Sequence, residues 1–162
     1  MKRWRWCRRE DTRAFATALV AAKPLPAVVY LHGDLGAGKT TLAQEIVHAA
    51  GYRGLVKSPT YTLLEVYATA LGSIVHLDLY RLGSDDELEF LGLRDYLDQP
   101  ALWLIEWPRR GTATLPEPDI ESIMSLEPDA SHTLSAHAVG LVGQRLLDAL
   151  VEAVPAGLEE ES

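Results

Sequence analysis

Residues 33–40 read GDLGAGKT, a complete G-x-x-x-x-G-K-[ST] match, and no other feature of the chain restricts its fold so tightly. The motif demands an apolar strand before it and a helix after it. Ala27-Val28-Val29-Tyr30-Leu31 is a β-rich apolar run of the kind found in buried parallel strands. Residues 39–50 (KTTLAQEIVHAA) read as a helix closed by Gly51. Gly33, Gly36 and Gly38 lack a Cβ, so the backbone from Asp34 through Leu35, Gly36 and Ala37 to Gly38 can turn tightly against phosphate oxygens. The helix then points its positive N-terminal end at the anion. Lys39 is placed to reach the β- and γ-phosphates, and the Thr40 hydroxyl to take one Mg²⁺ position. The expected ligand is a nucleoside triphosphate with Mg²⁺.

The remaining chain extends this unit. Trp4 and Trp6 alternate with Arg3 and Arg5, which suits a short strand with one buried face; an aromatic-basic RNA patch is the other reading. Asp11 or Thr12 caps a helix with Phe15, Leu19 and Val20 on one side, ended by Pro24 and Pro26. Tyr61–Tyr67 and Ser73–Leu79 read as strands. Ser84, with Glu87 in a capping box, opens one helix over LEFLGLRDYL. Ala101–Ile105 is a further strand, Pro108–Pro118 a loop, and Ile120–Leu126 with His132–Val139 a hairpin around Glu127-Pro128-Asp129. Gly140–Val154 closes the series as an amphipathic helix. The alternation implies an α/β, P-loop NTPase-like three-layer fold whose sheet is mostly parallel with an added antiparallel part. Residues 1–154 read as a single domain and 155–162 (PAGLEEES) as a frayed acidic tail.

A triphosphate-binding loop needs an acid at the end of a neighbouring strand. Asp78 ends Ile74-Val75-His76-Leu77, and Glu106 ends Ala101-Leu102-Trp103-Leu104-Ile105. Both reach the edge of the sheet where ligands bind in such folds. His76 alternates with Asp78 and so shares its face, as a core histidine or a participant in the chemistry. Trp107 follows Glu106 directly, placed to stack on a base or a partner or simply to pack.

Charge and composition narrow the function. A hydrophobic share of 48% with 23% charged residues is ordinary globular composition. No apolar run approaches the roughly 20 residues of a membrane span. The basic start MKRWRWCRRE lacks the apolar stretch of a secretory signal, and Glu10 and Asp11 argue against a transit peptide. Cys7 is the only cysteine, which excludes an internal disulfide and fits a reducing cytoplasm. Five of the 15 Lys and Arg lie in the first nine residues, leaving ten against 23 acids and a net −13 from residue 10 onward. So acidic a body is a poor ligand for nucleic acid by itself, and any RNA would be held by a partner. The chain contains no asparagine, so the N-K-x-D element that selects guanine is absent. A small-molecule kinase with Arg109-Arg110 in a lid remains the alternative.

Five blocks in order carry a closer resemblance: GDLGAGKTT at Gly33–Thr41, SPTYTL at Ser58–Leu63, HLDLYRL at His76–Leu82, ELEFLGLRDY at Glu87–Tyr96, and IEWP at Ile105–Pro108. Together they resemble the TsaE (YjeE) family, P-loop ATPases of bacterial tRNA threonylcarbamoyladenosine biosynthesis. The resemblance implies that Lys39 and Thr40 bind phosphate and Mg²⁺ with Thr41 close by, that Glu106 is the metal-associated acid, and that Asp78 is a second essential carboxylate. It makes Ser58–Thr60 a switch-like loop near the γ-phosphate, Trp107 a conformationally sensitive aromatic beside the nucleotide, and Thr12 a residue near the base. It further implies a slow ATPase acting with TsaB and TsaD, with tRNA met only through those partners.

Overall fold

The computed structural model describes residues 1–111 and 114–158. In chain order they form β1 (Lys2–Trp6), α1 (Arg9–Ala21), β2 (Ala27–His32), α2 (Lys39–Ala49), β3 (Leu64–Ala68), β4 (Ser73–Asp78), α3 (Asp86–Phe90), α4 (Leu93–Leu97), β5 (Ala101–Glu106), β6 (Ile120–Leu126), β7 (His132–Ala138) and α5 (Gly140–Ala153). The strands make one sheet in the order β1-β7-β6-β2-β5-β4-β3. β6, β2, β5 and β4 run parallel. The flanks are antiparallel, with β3 on β4 and the β6–β7 hairpin carrying β1.

Period-two alternation splits the apolar side chains between two layers. Ala27, Val29 and Leu31 of β2 join Leu102 and Leu104 of β5 in the larger core, which α1, α2 and α5 cover. Ala101, Trp103 and Ile105 join Val75 and Leu77 of β4 on the opposite face, covered by Leu88 of α3 and Leu93 of α4. β5 sits mid-sheet, and all six of its residues are buried.

The two N-terminal tryptophans are core residues. Trp4 meets Phe15 edge-on at 5.1 Å and Trp6 stacks on it at 5.3 Å. Arg5 faces outward, donating to Asp129 at 2.6 Å and Ser131 at 2.9 Å. With the rings buried inside, the aromatic-basic RNA patch falls away.

Several boundaries differ from the sequence reading. β3 begins at Leu64 rather than Tyr61, because the Leu63 N–H closes a turn on the Pro59 carbonyl at 2.7 Å with Leu63 at φ 63°. The helix expected from Ser84 is two short ones, broken by Gly92 in the left-handed region at φ 71°. Glu87 does reach back, but accepts from the Gly83 N–H at 3.2 Å, one residue before Ser84. α1 starts at Arg9, ahead of Asp11 and Thr12; Asp11 stands at its third position and accepts the Arg8 N–H at 3.1 Å. Residues 156–158, read as part of a frayed tail, form a 3₁₀ turn with Leu158 buried. Residues 159–162 lie outside the described residues.

One buried charge ties α1 to α2. Glu45 is 2% exposed and accepts from Arg9 at 3.0 Å and Arg13 at 3.2 Å. Burial pushes its pKa up, but the two arginine hydrogen bonds outweigh that and leave it below the ordinary 4.5. A carboxylate whose folded pKa is lowered stabilises the fold above the unfolded value and loses that contribution as pH falls through the folded one. Both arginines are mostly exposed, so solvent screens part of the attraction. Glu45→Ala should therefore lower unfolding free energy by about 1–2 kcal/mol at neutral pH. The deficit should shrink in acid below the ordinary carboxylate pKa, as followed by urea unfolding across pH.

Candidate functional site

The register of the central strands decides which acids meet. In the parallel pairing of β4 with β5, Asp78 lies opposite Glu106 and His76 opposite Leu104. β2 places Leu31 opposite Glu106, so the loop leaving β2 rises beside that carboxylate. His76, Asp78 and Glu106 thus share the sheet face that α2 covers. All three are buried, as is Lys39 at the start of α2.

Two glycines make the loop possible. Gly33, at φ 140°, lies so near Met124 that a Cβ would collide with its backbone oxygen. Gly38 holds φ 100° at the N-cap of α2. Inside the loop the Lys39 ammonium donates to the Gly33 carbonyl at 2.7 Å and to that of Asp34 at 2.8 Å. It also lies 4.6 Å from the centre of the Trp107 ring. Burial holds the Lys39 pKa below the ordinary lysine value, while Glu106, Asp78 and Asp34 pull it back up.

Beside the lysine, Thr40 Oγ1 donates to Glu106, 3.0 Å from Oε1 and 2.9 Å from Oε2. Asp78 is committed elsewhere: Oδ1 accepts the Tyr80 N–H at 3.0 Å, and Oδ2 accepts from Thr60 Oγ1 at 3.0 Å. Ser58 lies 2.7 Å from the Thr60 hydroxyl. The segment around Ser58–Thr60 is therefore fastened to the sheet edge through Asp78.

Lys39, Thr40, Thr41, Asp78 and Glu106 line one cavity of about 230 Å³ together with Thr60, Tyr80, Leu35, Gly36 and Gly38. Gly36, Gly38 and Thr41 also border a second cavity of about 360 Å³, where Thr12 lies with Cys7, Arg8, Gln44 and His132. Asp34 and Trp107 border a third, of about 280 Å³, beyond the loop. Trp107 does not line the first cavity but touches two residues that do, Lys39 and Tyr80. It takes a left-handed backbone at φ 55° and packs against Tyr80 at 5.0 Å.

This arrangement can hold an anion on backbone N–H groups at the start of α2, with an ammonium beside it. Among the described residues no three His, Cys, Asp or Glu side chains gather as a metal cage. Thr40 and Glu106 offer instead the two hard oxygen ligands that suit Mg²⁺ when it shares its coordination with phosphates.

Three contacts were not legible in the sequence. His76 is a buried core histidine that bonds Glu106, with Nε2 2.8 Å from Oε1. His132 braces the loop, Nδ1 donating to the Ala37 carbonyl at 2.9 Å. Thr60 is the residue through which its segment meets Asp78. Thr60 had a signal in the SPTYTL block and His76 in its alternation with Asp78, whereas His132 had none.

Known proteins resemble this chain in sequence and in fold. A family model described as "Threonylcarbamoyl adenosine biosynthesis protein TsaE" matches residues 7–134. The tRNA threonylcarbamoyladenosine biosynthesis protein TsaE of Haemophilus influenzae is 55% identical over 93 residues, 57% of this chain and 59% of that protein. That match thus spans less than two thirds of the Haemophilus protein's length. The Bacillus subtilis protein of the same name is 33% identical over 138 residues, 85% of this chain and 86% of its own. The crystal structure of Bacillus subtilis YdiB superposes with a TM-score of 0.76 at 28% identity, covering 94% of this chain and 97% of YdiB. The family match includes the loop, both strand-end acids and their supporting strands, and with these relatives it makes the chain a member of the TsaE family.

Proposed function

We propose that this protein is a Mg²⁺-dependent ATPase that acts with TsaB and TsaD in threonylcarbamoyladenosine modification of tRNA, resetting their complex between turnovers. The observation that carries the reading is the convergence of Lys39, Thr40, Glu106 and the Thr60–Asp78 pair on one cavity. Each residue has a separate task in it. The N–H groups from Asp34 to Lys39 and the Lys39 ammonium hold the phosphates, while Thr40 and Glu106 hold Mg²⁺. A Mg²⁺ held there would supply charge neutralisation to the phosphate oxygens. Asp78, fixed by Thr60 and the Tyr80 N–H, orients the attacking water. The second cavity, with Thr12 and Gln44, receives the base.

Loss of the terminal phosphate would release the segment around Ser58–Thr60, the order–disorder device of other nucleotide switches, and so alter the surface offered to partners. A net charge of −13 outside the first nine residues leaves tRNA to those partners. We place the protein in the cytoplasm, where an exposed thiol such as Cys7 stays reduced. Among the described residues no helix is long and apolar enough to cross a membrane.

The test is phosphate release from ATP by the purified chain, with and without TsaB and TsaD. Slow release that partners accelerate and EDTA abolishes is the expected result. Transfer of phosphate to a small-molecule acceptor in place of water would make the protein a kinase instead.

A further inference from the structure

His76 is fully buried in β4, and its two ring nitrogens have opposite surroundings. Nε2 faces Glu106 Oε1 at 2.8 Å. Nδ1 is buried with no hydrogen-bond partner among the described residues. A nitrogen bonded to a carboxylate oxygen carries the proton. A second proton on Nδ1 would be a buried donor with nothing to accept it. A proton on Nε2 alone satisfies the Glu106 side and leaves Nδ1 as an unfilled acceptor, not as a stranded donor. The carboxylate is likewise asymmetric. Oε1 accepts from both His76 and Thr40, whereas Oε2 accepts from Thr40 alone. Thr40 and Glu106 line the phosphate-side cavity; His76 does not, and reaches Glu106 from the sheet interior.

We propose that His76 is a positioning residue of the metal–nucleotide site: its Nε2–H anchors Glu106 Oε1 and leaves Oε2, beside Thr40 Oγ1, to the divalent cation. The inference rests on the reading of this loop as an Mg²⁺–nucleotide site. Groups that orient a metal-binding carboxylate typically change metal affinity by about 10- to 100-fold when removed. A histidine that only filled space would leave the metal dependence alone.

The experiment is calorimetric binding of a non-hydrolysable ATP analogue, in Mg²⁺ and in EDTA, to the wild type, His76→Leu and His76→Gln. His76→Leu should bind like the wild type in EDTA and lose about 10- to 100-fold of the tightening that Mg²⁺ brings. His76→Gln, which keeps an N–H near the position of Nε2, should recover most of it. The ¹⁵N spectrum of the ligand-free wild type should show the His76 proton on Nε2, with a signal that moves in Glu106→Gln. A wild type that needs Mg²⁺ beside an unaffected His76→Leu overturns this inference alone. A wild type indifferent to Mg²⁺ overturns the metal reading and this inference together. Should His76→Leu not fold, a His76→Gln variant stripped of Mg²⁺ dependence, or a proton found on Nδ1, overturns it equally.

Discussion

Lys39→Ala should remove ATP turnover by about 10²- to 10³-fold or more, the loss typical when one preorganised donor to a developing charge is deleted. It should do so without unfolding the protein. Lys39 is 4% exposed, and burial disfavours its charged form. At neutral pH that charge costs stability in the unliganded fold, offset in part by the Gly33 and Asp34 carbonyls and the nearby acids. Removing it takes away both the cost and the compensation, so the melting temperature without nucleotide should change little. What should vanish is the rise in melting temperature that nucleotide gives the wild type. A variant that unfolds would mean that the lysine serves the fold; one that still responds to ATP would remove it from the phosphate site.

The second large effect concerns stability and arises far from the loop. Gly143 of α5 lies so close to Asp119 that an added Cβ would strike its carbonyl oxygen. Asp119 cannot easily retreat. Its N–H donates to the Val28 carbonyl at 2.8 Å and its own carbonyl accepts from Val139 at 2.7 Å. Its carboxylate accepts the Val28 N–H at 2.8 Å, tying the entry of β6 to β2. Two effects oppose each other in Gly143→Ala. Helix propensity favours alanine by about 1 kcal/mol, while forcing an atom into a packed interface costs about 1–3 kcal/mol. Here the obstacle is backbone on both sides, so the upper end of the cost applies. The net expectation is a loss of about 2 kcal/mol, or a fall of roughly 4–8 °C in melting temperature. Unchanged or raised stability would show that α5 slides freely on the β6 entry.

What the sequence revealed followed how local each feature is. The strand–loop–helix unit at Ala27–Gly51 was legible because its determinants are contiguous: an apolar run, three glycines, a lysine and a C-terminal glycine. The ends of β4 and β5 were equally plain, since Asp78 and Glu106 close apolar runs. β3 was drawn too long because the turn that delays it depends on Leu63 accepting a left-handed backbone, which an apolar residue does not advertise. Gly92 stood in view within LEFLGLRDYL, yet a glycine inside a helical pattern is tolerated often enough that the break did not follow from it.

The pairings within the site needed the sheet order. His76 meets Glu106 only because β4 lies beside β5 in parallel register. His132 reaches the Ala37 carbonyl only because the β6–β7 hairpin adds to β2 from the other side. Thr12 arrives at the larger cavity through the packing of α1 on α2, which helical spacing alone does not set.

The most direct test of the central claim is multiple-turnover formation of threonylcarbamoyladenosine on tRNA by TsaB and TsaD. It is run with this protein, without it, and with its Lys39→Ala variant. Sustained turnover is expected only in the arm with the wild-type chain, and at most a single round in the other two. Equal product in all three would contradict it, leaving a member of the TsaE family whose loop serves some other purpose.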